Sequence, residues 1–465
     1  MGSENQGSMQ VLELPQGVRI AVPGNRRLMT PFVIAEQGDW FEDEIRWMRA
    51  MLKPGMRVLD IGANYGSYAL SAAKAVGEKG RVWAVEPTPD VVKHLEESKR
   101  TNGFENLTLL PVALGAENGE VSFFVSDNPE MNAMTREYEG QVEITVPCRT
   151  LDDLASEQGI DAIDFLKLDA EGQEMAILEG GQTVFHEQSP VVLFEVLHGA
   201  GVNLGFWNAL KPLGYEAFIL CPSLNVLVSV DPDKLQAGST LNLLACKPDR
   251  AACLEADGFM VRSAEVGEYD APSIVEGAHK EYLRTLSYGR EQEASGLFEL
   301  SDSDEGSAAY LEGLDFYATA MAPSISVSDK FRLMCVAYNQ IRSACTLNAT
   351  FGRMLSLIRV AGELTEKSTA KILLTQLTDA IRTNEELSLA EPFLCPSPEF
   401  DDIDASGNMG RFIQASVVYQ KIQSCGFSCY FRLKDAVEDI KLYEGQGIEH
   451  PKVNRIIQTI QGLSG

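Results

Sequence analysis

The sequence predicts a doubly wound α/β domain with a mostly parallel sheet, followed by a mainly α-helical C-terminal domain. Three observations carry this expectation. Between about residues 55 and 250, short β-rich runs alternate with helical stretches, the order that builds βαβ units and covers a parallel sheet on both faces. Beyond an acidic segment near residue 300, apolar residues recur at helical spacing instead. The 465 residues, 45% hydrophobic and 23% charged, suit two or three globular domains that each bury a core.

Taken in order, residues 1–8 (MGSENQGS) read as an expression scar and 9–54 as a lead-in segment. The α/β domain at 55–250 opens with a strand at 57–61 (RVLDI) and a helix of small apolar residues at 68–76. A second strand, 81–85 (RVWAV), leads into a polar helix at 88–102. Residues 107–114 (LTLLPVAL) make a third strand, whose later half Pro111 turns towards an edge or a bend. Segments 121–126 and 141–148 alternate with period two and pair as a hairpin around the loop 127–140. Strands at 163–168, 190–197, 216–220 and 241–246 complete the domain. Residues 251–308 form a connecting segment and acidic linker, rich in Ser, Glu and Asp over 291–307. The helical domain covers 309–465, with amphipathic patterns at 330–364, 370–381 and 412–422. Pro392, Pro396 and Pro398 break the helices between residues 389 and 404.

Against 39 Lys and Arg stand 67 Asp and Glu, a net charge of −28 with a pI near 4.6. Phosphate recognition needs a basic stripe, so the balance argues against nucleic acid and against anionic lipid. Nine cysteines, an odd number without paired CxxC motifs, and only five histidines argue against zinc. They read as free thiols in a reducing, cytoplasmic compartment, and Cys425 and Cys429, one helical turn apart, read as packing. No apolar stretch reaches the roughly 20 residues that span a membrane, and no signal peptide opens the chain.

The segment 58–67, VLDIGANYGS, is the most informative. An apolar strand runs into Asp60, and Gly62, Asn64 and Gly66 follow at every second position before a helix. Glycines permit a tight turn and a close approach of backbone to a ligand. A dinucleotide site would carry G-x-G-x-x-G with a pyrophosphate on the helix N-terminus. Here the pattern is D-x-G-x-N-x-G, and an acid at the strand end repels a pyrophosphate but suits a cation. S-adenosyl-L-methionine, with its amino group and sulfonium, has that polarity. Glu86 ends the second strand 20 residues after Gly66, the separation at which a carboxylate reaches both hydroxyls of a ribose.

With these residues in view, the chain resembles the FkbM-type family of S-adenosylmethionine-dependent methyltransferases, within the class I methyltransferase fold. Besides GANYG, the resemblance rests on 149–153 (RTLDD), 163–174 (IDFLKLDAEGQE) and 177–181 (ILEGG), in order and correctly separated, within about 40–247. It implies a seven-stranded sheet with the last strand antiparallel, and methylation of a hydroxyl on a sugar or secondary metabolite. It implies that Asp60, Gly62, Ala63, Asn64 and Gly66 line the methionine and ribose side of the cofactor. Glu86 then holds the ribose, and Val112 and Ala113 present backbone to the adenine. Phe41 and Glu42 fall where the family carries an aromatic-acid pair. Asn102 reads as a helix cap.

The fourth strand is expected to supply the chemistry. Alternation sets Lys167 and Asp169 on one side, with Asp169 at the carboxyl end of the strand, where open α/β sheets bind ligands. Glu171 and Glu174 follow at a helix start, whose dipole also suits acids. Methyl transfer is an in-line displacement, so alignment is the main task, and an alcohol must also lose its proton. The candidates for that base are Asp169, Glu171 and His198, with Glu195 behind them. A divalent metal on Asp169 and Glu171 is an alternative that is not favoured. The cofactor would leave as S-adenosyl-L-homocysteine. Two other functions stay open: a scaffold or complex subunit whose cofactor domain serves interaction, and methylation of protein or RNA. The acidity and the missing Asn/Asp-Pro-Pro-aromatic motif speak against the latter. The expected partners are a hydroxyl-bearing small molecule or glycan and, through the helical domain, a second copy or another protein.

Overall fold

The computed structural model describes residues 8–126, 134, 141–198, 201–235, 240–262, 274–298, 305–383, 388–405, 408–424 and 427–463. The chain divides into two compact units. One comprises Met1–Leu220, Asn225–Arg262 and Gln458–Gly465, the other Cys221–Leu224 and Ser263–Ile457.

The first unit begins with a hairpin of β1 (Met9–Leu14) and β2 (Val18–Pro23), then helices α1 (Met29–Gln37) and α2 (Asp43–Met51). Strands β3 (Arg57–Ile61), β4 (Arg81–Val85) and β5 (Leu107–Leu110) follow, separated by α3 (Ser67–Val76) and α4 (Pro89–Asn102). Next come β6 (Ala113–Leu114), β7 (Gly119–Val125) and β8 (Val142–Arg149), then β9 (Phe165–Leu168) and β10 (Val191–Glu195). A small pair, β11 (Leu197–His198) and β12 (Gly201–Val202), precedes β13 (Glu216–Cys221), β14 (Val226–Ser229), β15 (Asn242–Cys246) and β16 (Met260–Val261).

The main sheet runs β16-β14-β13-β15-β10-β9-β3-β4-β5, with β3, β4, β5, β9 and β10 parallel and β15 antiparallel between β10 and β13. The seven strands from β13 to β5 have the expected arrangement with the last strand, β15, reversed. The sheet has nine strands rather than seven, because β14 and β16 extend it past β13. Asn225, at φ 53°, lies in the tight turn that folds β14 back beside β13. β16 then pairs in parallel with β14.

Pro111 divides the expected third strand. β5 stops at Leu110, and Ala113–Leu114 joins a separate sheet against β8. The expected hairpin is β7 with β8, in register from Gly119↔Cys148 to Val125↔Val142. Its loop, 127–140, lies outside the described residues except for Met134.

Apolar side chains fill both faces of the main sheet. Val58, Phe165, Val191 and Leu193 pack with the β1–β2 hairpin and with α2 and α3, while Leu59, Leu166, Val192 and Phe194 pack on the other side. This is the two-sided burial that a parallel sheet requires.

The second unit is helical, with long members at Ser307–Ala320, Val327–Leu347, Phe351–Glu363, Lys367–Arg382, Met409–Ser424 and Leu433–Glu444. The amphipathic pattern at 330–364 is two helices. The break comes at residues 348–350, where Thr350 caps the second helix by accepting from the backbone N–H of Arg353. Part of the expected linker is structured too, with short helices at Ala278–Thr285 and Gly289–Ala294.

Candidate functional site

The turn after β3 follows from its sequence. Gly62 (φ 75°) and Gly66 (φ 94°) are left-handed, and so is Asn64 (φ 47°), a residue type that tolerates this conformation. A Cβ on Gly62 would lie 1.8 Å from the carbonyl oxygen of Asp169, and one on Gly66 would lie 2.3 Å from Cδ1 of Leu95. The glycines thus let β3 approach the β9 tip and let α3 pack on α4. The N–H groups of Gly62 and Ala63 both donate to the carbonyl of Val85, which locks the turn onto β4.

Asp60 and Glu86 end up as buried carboxylates on neighbouring strands. Asp60 is 1% exposed, and neither of its oxygens has a hydrogen-bond partner among the described residues. Desolvation pushes its carboxyl up to about 6, with Lys167 opposing and Asp169 adding to the shift. Glu86 accepts from the backbone N–H of Asn64 at 3.0 Å and of Thr88 at 2.8 Å. Burial raises its pKa, and those two amides lower it. Each carboxylate oxygen takes more than one hydrogen bond, so Glu86 retains acceptor capacity. Val112 is half-buried just beyond β5, where its N–H donates to Leu110, and Ala113 opens β6.

Strand pairing places the next group on one face. Asp60 of β3 is opposite Lys167 of β9, which is opposite Leu193 of β10. Alternation then puts Asp60, Lys167, Asp169 and Glu195 on the face that carries α2 and α3. Lys167 Nζ is 3.0 Å from Asp169, 4.0 Å from Asp60, and 5.4 Å from the centroid of the Tyr68 ring. Burial disfavours its charge, but Asp169, Asp60 and Glu42 outweigh that cost and hold its pKa above the ordinary value. Lys167 is therefore a fixed cation rather than a proton carrier.

Glu42 stands just ahead of the first residue of α2 and accepts from the hydroxyl of Tyr68 at 2.5 Å. The segment ahead of it is held by Arg49, which pairs with Asp39 through both carboxylate oxygens and donates to Ser71 on α3. Desolvation raises the Glu42 pKa despite Lys167 and Tyr68. Glu195, at the tip of β10, is under the influence of the like charges of Asp169, Glu171 and Glu42. Desolvation and these three like charges push its carboxyl up to about 8, against the pull of Lys167.

The other expected residues have different surroundings. Glu171 is exposed in a left-handed turn (φ 47°). Glu174 accepts from the N–H groups of Ala170 and Gly172, so it staples that turn. His198 lies in β11, opposite Gly201, but its side chain is outside the described residues. Asn102 is not the expected cap, since it is the last residue of α4 and Gly103 (φ 68°) caps it; its side chain accepts from Arg19 N–H and donates to the Arg19 carbonyl, tying β2 to α4. Sequence reasoning missed Tyr68, which read only as a helix residue, and Asn242, which read only as the second residue of the strand at 241–246. Among the described residues no group of three His, Cys, Asp or Glu could hold a metal ion, and no helix is long and apolar enough to cross a membrane.

The chain is similar to known proteins over part of its length. Over 147 residues the chain is 28% identical to the 2-O-methyltransferase NoeI of Sinorhizobium fredii, covering 28% of this chain and 59% of that protein. Over 51 residues it is 49% identical to the ribosomal RNA large subunit methyltransferase E of Bdellovibrio bacteriovorus, covering 11% and 26%. The crystal structure of methyltransferase FkbM from Methylobacillus flagellatus KT aligns with 18% identity over 48% of this chain and 56% of that one, at a TM-score of 0.29. The chain thus spans less than two thirds of each of these relatives. Residues 60–217 match the model of the methyltransferase FkbM domain.

Proposed function

We propose that the protein is an S-adenosylmethionine-dependent O-methyltransferase whose acceptor is a hydroxyl of a sugar, glycan or secondary metabolite. One observation carries this reading: Asp60, buried and without a hydrogen-bond donor, at the tip of the strand that enters the glycine turn. A buried carboxylate with no hydrogen bond and its nearest cation, Lys167, 4.0 Å away is costly, and a cationic ligand relieves that cost. Asp60 and the backbone of 62–66 would hold the methionine end, and Glu86 would hold the ribose. When bound, the cofactor supplies an electrophilic methyl group on a sulfonium.

The chain's own residues then align and deprotonate. Lys167 keeps Asp60 and Asp169 in place, and Glu42 with Tyr68 closes the face opposite the strands. The carboxylates beyond β9 and β10 leave the acceptor region negative, which suits a neutral or cationic polyol and repels a phosphate backbone. The 2-O-methyltransferase NoeI among the relatives supports oxygen as the nucleophile. Incubation with methyl-labelled cofactor and a panel of neutral sugars, glycan fragments and hydroxylated metabolites tests this. An alkali-stable, ether-linked label on one of them is expected. Label found only on amines, protein or RNA would contradict it.

A further inference from the structure

The proposed reaction exchanges one charge for another. The O–C bond forms and the C–S bond breaks, its electron pair passing to sulfur, so the sulfonium charge disappears while the acceptor hydroxyl releases a proton. That proton needs a basic group at the strand tips, and the carboxylates there are not equally free. Asp169 is committed to Lys167 at 3.0 Å. Glu42 accepts from Tyr68. Glu174 is occupied by two backbone N–H groups. Asp60 lies deep in the cofactor crevice, 1% exposed.

Glu195 differs from all of these. It ends β10 on the same face as Lys167 and Asp169, and it is exposed at the mouth of the site. The groups facing it are Asp169 and Glu171 beyond β9, Glu42 ahead of α2, and Lys167 within β9. Its partner across the antiparallel pair with β15 is Asn242, and directly opposed residues share a face. Asn242 is 5% exposed, and its side-chain Nδ2 has no acceptor among the described residues. A hydroxyl between the two can accept from Asn242 and donate to Glu195, which satisfies both.

We propose that Glu195 receives the acceptor's proton, so that it faces the sulfonium as a carboxylate and leaves the reaction as the acid, with Asn242 orienting the hydroxyl. The charge inside the crevice is then the same before and after transfer. This rests on the function proposed above. Its experimental handle needs no acceptor: a sulfonium should expel the proton from Glu195, and the uncharged thioether of S-adenosyl-L-homocysteine should not. The two ligands share the amino and carboxylate groups, so their difference isolates the methyl charge.

The test is isothermal titration of the full-length protein with each ligand near pH 7.5, in buffers of different ionisation enthalpy, to count protons. S-adenosylmethionine should release on the order of half a proton more than S-adenosylhomocysteine. The difference should vanish in Glu195→Gln and return in Glu195→Asp, which also guards against a folding defect in the glutamine variant. Equal proton release in the wild type, or a difference that persists in Glu195→Gln, would overturn the role of Glu195 alone. Binding of neither ligand would instead overturn the cofactor reading beneath it.

Discussion

Asp60 makes the clearest trade of stability for function. Its folded-state pKa, about 6, lies above the ordinary carboxylate value of 3.8. A raised carboxyl contributes stability below its ordinary value, and that contribution is lost as pH rises through about 6. Asp60→Asn should therefore stabilise the unliganded protein at pH 7–8, by on the order of 1–3 kcal/mol, while abolishing cofactor binding. Thermal melts at pH 5 and 8 check the sign, since the gain at the lower pH should be about half that at the higher. Asp60 and Glu86 were legible because each ends a strand at a spacing that has a chemical meaning. Glu195 was visible but ranked behind His198, because a strand-end histidine looks like a base in sequence, whereas the crowding by Asp169, Glu171 and Glu42 exists only in three dimensions. Glu42 entered through family resemblance alone. Asn242 carries no motif, and its importance comes from standing opposite Glu195.

Elements obey the same logic of close approach and pairing. Gly62→Ala would drive a methyl into the Asp169 carbonyl and strain a φ of 75°, so a loss of roughly 2–4 kcal/mol is expected in denaturant unfolding. In the helical unit, Arg353 is fully buried against Glu391 and donates to the carbonyls of Asn348 and Glu305. Removing the acid in Glu391→Ala strands that guanidinium, and about 3–5 kcal/mol should be lost, again by chemical denaturation. Strands β3, β4, β9, β10 and β15 could be read from their apolar runs, and Pro111 announced the end of β5. The added strands β14 and β16 were missed because four and two residues are too few to establish a period. The β1–β2 hairpin alternates adequately but precedes the recognisable βαβ order, so it passed for a lead-in. The split at 348–350 was hidden because the apolar spacing continues across it, and only the cap at Thr350 marks the boundary.

For the molecule as a whole, the charge of −28 acquires a local meaning. Most of the excess is surface, but Asp60, Glu86, Asp169 and Glu171 put negative groups at the strand tips, with Lys167 as the nearby ion-pair partner. An acidic crevice of this kind concentrates a cationic ligand, and salt should weaken the attraction. Hydrogen exchange with and without S-adenosylmethionine should show protection focused on 60–69, 85–88 and 167–172, with the helical unit unchanged. Protection centred on the helical unit would place the ligand elsewhere. The most direct measurement is the affinity of the full chain for S-adenosylmethionine, compared with Asp60→Ala and Glu86→Ala. Binding on the order of micromolar is expected, weakened at least about tenfold, or 1.4 kcal/mol, in each variant. Wild-type affinity in both variants would mean that the strand-tip crevice is not the cofactor site.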